Sequence, residues 1–444
     1  MDSNMNYLKE VAFSEFSLWD VKRFIKEGIL SSFPIVNLGD FINQRSKKIK
    51  LFNFPEKEFG ILGVNNKVGI FDAYTEKGEH INQAYKEVEL YDIAYNPYRV
   101  NVGSIGLKTE NQKNSFISPA YVVFECLTGL NSEFLYRMFK TETFNKIIND
   151  NTTGSVRQNL KYDTLKNIQI PLPPIAEQDK IVQIYNKKIK IAKSQELQVS
   201  QLEQEIENYL FEVLGIEKLI EKESKECFRI VSYKSLEKWG FDHISKSKVK
   251  YTKNYPLTQI QNVCKISSGG TPSRSRKEYY DGEIPWIKTG EVLNDIVLDT
   301  EEKITEDAIK NSSAKIYPKN SLIIAMYGQG KTRGRTAKLG VPASTNQACA
   351  VLYDLDTNII LTDYLWVYLM NEYNRLRELA SGNNQPNLNA QMIKSYPLII
   401  PPLNIQKEII QSFFKLKKEI KELSKKAKLN RKKAILDFGK RIFT

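Results

Sequence analysis

A chain of 444 residues is too long for one ordinary core and long enough for two to four domains, and its 41% apolar content argues against wholesale disorder. Its 65 Lys and Arg against 52 Asp and Glu leave a formal charge of +13, which favours an anionic partner, usually nucleic acid and sometimes a membrane surface, over the bland alternative of a solubility bias. The four cysteines (Cys126, Cys227, Cys264, Cys349) form no C-x-x-C unit and the only histidines are His80 and His243. That scarcity argues against a zinc site, a disulfide framework, H-E-x-x-H or a Ser-His-Asp triad, and fits a reducing, cytoplasmic setting.

The opening "MDSNMNYLKEVAFSEF" lacks a charged-then-apolar signal layout, and "YLWVYLM" (364–370) is far short of the roughly 20 apolar residues a span needs, so a soluble chain with no membrane partner is expected. In the first half, "YDIAY" (91–95) and "AYVVFEC" (120–126) have strand composition, and "LNSEFLYRMFKTETFNKIIN" (130–149) reads as an amphipathic helix. Then comes "GSVRQNLKYDTLKNIQIPLPPIAEQ" (154–178), a Pro-Pro turn leading into a long helix.

The second half repeats this order. "SLIIAM" and "ACAVLYDL" read as strands, "LTDYLWVYLMNEYNRLREL" (361–379) as a helix, and "GNNQPNLNAQMIKSYPLIIPPLNIQ" (382–406) aligns with the first copy without a gap. Gly154 meets Gly382, Asn159-Leu160 meet Asn387-Leu388, Pro173-Pro174 meet Pro401-Pro402, and Gln178 meets Gln406. The copies also begin alike, "FPIVNLGDFI" (33–42) against "YPLTQIQNVCKI" (255–266).

Heptad seams run through both long helices. One is Ile181, Tyr185, Lys188, Ala192, Gln195, Val199, Leu202, Ile206, Tyr209 and Val213; the other is Ile409, Phe413, Leu416, Ile420, Leu423, Ala427, Asn430, Ala434, Asp437 and Arg441. The simplest pairing is of one with the other in the same chain, with an intermolecular coiled coil as the alternative. At about 1.5 Å per residue, a seam of some 33 residues spans roughly 50 Å, the length of a spacer between two bodies. Residues 415–433 of the second helix are heavily basic.

Within "AMYGQGKTRG" (325–334), Ala325 to Thr332 fits A-x-x-x-x-G-K-T, and a phosphate loop would make the chain a nucleotide hydrolase using Gly330-Lys331-Thr332. Gly334, Gly340 and Pro342 follow too soon for the helix such a loop needs. The competing reading is a strand-to-strand loop that presents Lys331, Arg333, Arg335 and Lys338 to DNA, with Gln329 and Asn346 suited to adenine edges. Asn96-Pro97-Tyr98 lacks the second proline of the N-P-P-[FY] motif of amino-methyltransferases, so Asn96 is a turn residue or a DNA contact rather than a catalyst. No catalytic constellation stands out.

On these residues the chain resembles the specificity subunit of type I restriction-modification systems. "SSGGTPSRSRKEYYDGEIPWIKTGEV" (267–292) is similar to the opening of that family's target recognition domains, and "PLPPIAEQDKIV" and "PPLNIQKEII" to the turns that open its conserved helical regions. The first half has "NQRSKKIKLFN" (43–53) where "SGGTP" would stand. The resemblance implies an α+β fold of two tandem β-rich target recognition domains joined by two long antiparallel helices, a pseudo-two-fold internal repeat. The expected boundaries are 1–170 and 219–398 for the recognition domains, 171–218 and 399–444 for the helical regions.

It further implies a non-catalytic subunit that reads the two halves of a bipartite site in double-stranded DNA. Two methylation subunits and restriction subunits would join it, bringing S-adenosylmethionine, ATP and magnesium for adenine-N6 methylation and cleavage; this chain would hold no cofactor or metal. A specificity subunit for a single-chain restriction-methylation enzyme is the variant within the family. The candidate DNA contacts in the second domain are Gly269, Gly270, Thr271, Ser273, Arg274, Lys288, Thr289, Gln329, Lys331, Arg333 and Arg335, with the glycine N–H groups offered to phosphates. In the first they are Tyr95, Asn96, Arg99, Asn101 and Ser104, with Arg157 and Gln158 as DNA, interhelical or structural residues. Trp286 is core or a stacking platform.

Overall fold

The computed structural model describes residues 28–151, 159–218, 249–252, 255–328, 330–380 and 387–443. The chain divides into two compact units, one made of residues up to Leu197 together with those from Ser424 onward, the other of Gln198–Leu423.

The first unit begins with β1 (Ile35–Asn37), β2 (Ile42–Gln44) and β3 (Lys48–Ile49), then a long hairpin of β4 (Glu58–Asn65) and β5 (Gly69–Lys77). β6 (Tyr85–Glu87), β7 (Ile93–Tyr95), β8 (Ile105–Leu107), β9 (Phe116–Ile117) and β10 (Val122–Cys126) follow. They form an antiparallel sheet of order β2-β10-β7-β8 and a second sheet of order β3-β6-β9-β4-β5. The apolar runs sequence pattern assigned to strands are β7 and β10, whose Ile93, Tyr95, Val123 and Phe124 are fully buried.

The expected helix over 130–149 is two: α1 (Ser132–Met138) and α2 (Glu142–Asn151). Asn131 caps α1, its side-chain oxygen accepting from the Phe134 N–H, and Thr141 ends the break by accepting from the Phe144 N–H. α3 (Tyr162–Lys166) and β11 (Gln169–Pro171), which pairs with β1, lead to the Pro-Pro turn and α4 (Ile175–Leu214). β12 (Ile216–Lys218) follows and belongs to the second unit, where it pairs with a later strand.

The second unit repeats the plan. It contains β13 (Val249–Tyr251), β14 (Leu257–Gln259), β15 (Lys265–Ser268), β16 (Ile284–Ile287), β17 (Ile296–Val297), β18 (Lys303–Ile304) and α5 (Glu306–Lys310). Then come β19 (Leu322–Ala325), β20 (Thr336–Leu339), β21 (Ser344–Thr345) and β22 (Cys349–Tyr353), followed by α6 (Thr362–Asn371), α7 (Tyr373–Leu379), α8 (Ala390–Lys394), β23 (Pro397–Ile399) and α9 (Leu403–Ile442), whose residues from Ser424 onward belong to the first unit as those of α4 from Gln198 onward belong to the second. The main sheet, β15-β22-β19-β20-β17, matches β2-β10-β7-β8 strand for strand with β17 added at the edge. The pair β14-β23 matches β1-β11. Here too the single expected helix, 361–379, is two, broken at Glu372. Tyr364 to Leu369 are buried all round, which makes α6 a core helix rather than an amphipathic one.

Gln178 and Gln406, aligned in the repeat, are both fully buried and perform one job. Gln178 accepts from the Asn131 N–H (2.8 Å) and donates to the carbonyls of Gly129 and Pro173 (both 2.8 Å). Gln406 accepts from the Leu361 N–H (2.8 Å) and donates to Ile359 and Pro401 (both 2.9 Å). Each thus ties its Pro-Pro turn to the loop entering a corresponding helix, α1 in the first unit and α6 in the second. The orphaned backbone groups left by its loss would cost roughly 1 kcal/mol apiece.

Both heptad seams are filled within the chain. In the first unit, Ile181, Tyr185, Ala192, Ala427, Ala434 and Phe438 are buried, and the polar seam positions meet one another. Lys188 Nζ bonds Asp437, and Asn430 Nδ2 donates to Gln195 Oε1 at 3.0 Å, an antiparallel register. A polar layer of this kind fixes register at some cost in stability. In the second unit, Ile206, Leu210, Ile409, Phe413 and Ile420 share one cluster with α6.

Candidate nucleic-acid interface

The question posed by "AMYGQGKTRG" is settled by strand direction. β19 runs through residues 326–335 into antiparallel β20, with Leu322 opposite Lys338 and Ile324 opposite Thr336. No helix follows Lys331, so no helix N-terminus is there to cradle phosphates, and the nucleotide-loop reading is overturned. The loop is a hairpin, and Gly330 (φ 64°) and Gly334 (φ 84°) supply the left-handed turns it needs.

The equivalent hairpin in the first unit is 96–104, between β7 and β8, with Ile93 opposite Leu107. Gly103 (φ 86°) stands two residues before β8, as Gly334 stands two before β20. The repeat segment touches both hairpins in the same way: the Leu160 N–H donates to the Pro97 carbonyl and the Leu388 N–H to the Met326 carbonyl, each at 3.0 Å. Arg157, Gln158 and Gln329 lie outside the described residues.

The hairpins present different residues to solvent. In the second unit Lys331 is exposed while Arg333 and Arg335 are half-buried. Burial, and then the adjacent Arg377 guanidinium, lower Arg333 from its ordinary value. Lys338, counted with this loop from its sequence, instead sits in β20, its Nζ 2.5 Å from Asp363 Oδ1 and over the Trp366 ring. In the first unit Arg99, Tyr98 and Val102 are exposed and Asn101 is half-buried. Asn96 is a turn residue: its Oδ1 accepts from the Tyr98 N–H at 3.0 Å.

Two first-unit candidates are corrected. Tyr95 is fully buried, its hydroxyl donating to the Leu160 carbonyl at 3.1 Å, and burial raises its pKa. Ser104 is 4% exposed and its Oγ donates to the Val64 carbonyl. Both faces of this sheet are covered, so β7 and β8 are buried at every residue and a hairpin base has no outward side: Tyr95 faces one cluster with Ile93 and Ile105, and Ser104 turns to Val64.

The glycine motif is corrected too. The Gly269 N–H donates to the Cys349 carbonyl (3.1 Å) and the Gly270 N–H to the Thr345 carbonyl (2.9 Å), so neither is offered to a phosphate. A Cβ on Gly269 would lie 2.1 Å from Thr345 Oγ1 and one on Gly270 2.3 Å from the Ala314 nitrogen, so both are glycine because the chain packs there. Trp286 is core, 2% exposed, its Nε1 donating to the Gly270 carbonyl at 3.0 Å.

Around that motif Arg274 and Lys288 are already partnered. Arg274 lies 4.2 Å from the Tyr280 ring centre and 4.9 Å from that of Trp286, and bonds Glu302 at 2.8 Å. Lys288 bonds Glu301 (3.0 Å) and Glu302 (3.1 Å), which raises its pKa. Burial works against the Glu302 carboxylate, yet Lys288 and Arg274 hold it below the usual range. Thr271 Oγ1 bonds Gln347, Ser273 Oγ meets Ser275 Oγ at 2.8 Å, Thr289 opens a short turn, and Asn346 Oδ1 accepts from the Ala348 N–H at 3.2 Å. Where the first half lacks "SGGTP", Arg45 follows β2 and is enclosed by Glu89, Asp92 and Glu125.

Sequence reasoning missed the supports behind the hairpins. Tyr373 Oη donates to the Lys331 carbonyl (2.8 Å), and Arg377 Nη1 donates to the Arg333 carbonyl (2.8 Å). In the first unit Lys140 Nζ donates to the Gly103 carbonyl (2.9 Å) and the Ile105 carbonyl (3.3 Å). Burial, and then Arg137, push the Lys140 ammonium down to about 8. Nothing in a single sequence marks a lysine in a helix break as a ligand of a carbonyl dozens of residues earlier.

The model of the type I restriction modification DNA specificity domain matches this chain twice, over residues 23–208 and 252–431, and the chain belongs to that family. The specificity subunit of the type I restriction enzyme MjaIX of Methanocaldococcus jannaschii is 23% identical over 293 residues, 65% of this chain and 62% of that protein. The HindI specificity subunit of Haemophilus influenzae is 21% identical over 441 residues, 87% of this chain and 94% of its own. A solved chain from work on complex assembly and conformational transition of the type I R-M system has a TM-score of 0.58 at 15% identity, covering 93% of this chain and 98% of that one, a likeness of fold. Among the described residues no helix is long and apolar enough to cross a membrane.

Proposed function

We propose that this chain is the DNA sequence-recognition subunit of a type I restriction-modification complex, and that each unit reads one half of a bipartite site through its hairpin, 96–104 in one and 326–335 in the other. The observation that carries this is the equivalence of the hairpins: same sheet position, same positive-φ glycine, same contact with the repeat segment, but different exposed side chains. A duplicated frame with differing tips is what two readers of unlike sequence require. In the second hairpin, Lys331, Arg333 and Arg335 offer charge to phosphates and bidentate donors to guanine. Thr271, Ser273, Arg274, Lys288 and Thr289 are further candidate contacts of the second unit, and Asn96, Arg99 and Asn101 are those of the first hairpin itself.

In this reading the chain catalyses nothing. The long helices set the gap between half-sites and dock two methylation subunits. Restriction subunits complete the assembly, and the partners carry S-adenosylmethionine, ATP and magnesium for adenine-N6 methylation and cleavage. The test is a genome-wide map of adenine methylation in the host with and without this gene, repeated with neighbouring subunits co-expressed. Loss of one split motif, two short blocks about a fixed gap, is the expected result. Survival of every motif in the host, together with no new motif on co-expression, would remove the reading.

A further inference from the structure

The two hairpins are held from behind by different devices. In the second unit, the first turn of α7 supplies Tyr373, whose hydroxyl bonds the Lys331 carbonyl, and the next turn supplies Arg377, which bonds the Arg333 carbonyl at 2.8 Å and Tyr373 Oη at 3.2 Å. Gly334 is part of the same fit, since a Cβ there would lie 3.1 Å from Arg377 Cγ. The carbonyls held are those of exposed Lys331 and half-buried Arg333, two of the cations assigned to DNA above. In the first unit the break between α1 and α2 supplies Lys140, bonded to the carbonyls of Gly103 and Ile105 and lying 5.4 Å from the Tyr136 ring centre.

A cation bonded to a neutral carbonyl is stronger than a neutral pair, and loops otherwise have little to fix them. Hairpin tips that read bases need their side chains placed to a fraction of an ångström, and rigid supports reduce the ordering cost on binding.

We propose that Tyr373 and Arg377 in the second unit, and Lys140 in the first, are positioning residues for DNA readout: they hold the backbone of the reading hairpin and do not touch DNA. The inference rests on the recognition reading above. It assigns each support to one half-site, because each bonds only its own hairpin. It also separates two effects that a direct contact would join. A residue that neutralises a phosphate sets the salt dependence of binding, with a slope of about one unit per contact, whereas a positioning residue sets discrimination and leaves that slope alone.

The experiment uses the full chain assembled with its methylation partners and a duplex carrying the split motif from the methylation map, with either half scrambled as competitor. Tyr373→Phe removes one hydroxyl and leaves the ring, so the fold is spared, and Arg377→Met removes the guanidinium. The expected result for both is that the penalty for scrambling the second unit's half-site shrinks by about fivefold or more. The penalty for the other half, and the salt slope, stay at the wild-type values. Lys140→Met is expected to show the reverse assignment, with Lys140→Arg restoring discrimination. Unchanged discrimination in Tyr373→Phe and Arg377→Met would overturn the inference, and so would a slope lowered by about one, which would make Arg377 a phosphate contact. A wild-type complex that prefers neither half would instead remove the recognition reading on which the inference rests.

Discussion

The two units share a frame and differ in what they hang on it. β2-β10-β7-β8 in one and β15-β22-β19-β20 in the other have the same order, and the buried glutamines Gln178 and Gln406 close the same turn with the same three bonds. The second sheets differ: five strands, β3-β6-β9-β4-β5, in the first unit, and three, β18-β16-β21, in the second. The supports of the hairpins differ as well, Lys140 in one and Tyr373 with Arg377 in the other. A frame residue is constrained by bonds to backbone groups both copies possess. The hairpin side chains share no such common set of bonds, and there the copies diverge.

The largest expected effect breaks that comparison in the second unit alone. Gly269→Ala and Gly270→Ala place a methyl against backbone atoms with nowhere to move, at a cost of about 3 kcal/mol. Hydrogen exchange in the second unit should quicken while the first keeps its protection. Intact stability with lost DNA affinity would return these glycines to the phosphates.

Next come Gln178→Ala and Gln406→Ala. Each should cost its own unit about 2–3 kcal/mol, and by similar amounts, in denaturant titrations followed by exchange. A large loss in one and none in the other would mean the two turns are not equivalent after all.

Lys331→Ala and Arg333→Ala should each weaken DNA binding by about tenfold and lower the log–log salt slope by about one, whereas Lys338→Ala, spent on Asp363, should leave the slope alone. A titration of affinity against salt separates the three.

The smallest effect sharpens the contrast between a lysine support and an arginine one. Lys140 has its pKa lowered from 10.5 to about 8, so between those values the unfolded chain binds the extra proton and the folded one does not. Its contribution to stability therefore rises as pH climbs from about 8 towards 10.5. Thermal unfolding of the first unit across that range should show the rise, and Lys140→Met should flatten it.

Much of this was legible in the sequence because it is periodic or duplicated. The gapless match of 154–178 with 382–406 reveals the repeat, and the heptads place α4 and α9. Even the polar seam residues Lys188, Gln195, Asn430 and Asp437, legible only as interruptions, prove to be each other's partners. The loop containing Lys331 was readable as a hairpin from the glycines and proline that follow it. Hidden were the covering of both faces of the first unit's sheet, which buries Tyr95 and Ser104 alike, and which N–H groups a packed glycine spends. The helix breaks at Phe139–Thr141 and Glu372 were also invisible, since the apolar pattern continues through them.

The most direct test of the central claim is a binding matrix. The wild-type complex, an Arg99→Ala, Asn101→Ala variant and a Lys331→Ala, Arg333→Ala variant are each titrated against the intact split site and against versions with one half or the other scrambled. Two independent readers predict that each variant loses the penalty for one half only, and that the two variants lose it for opposite halves. Equal loss for both halves in either variant, or no loss in any, would contradict the claim.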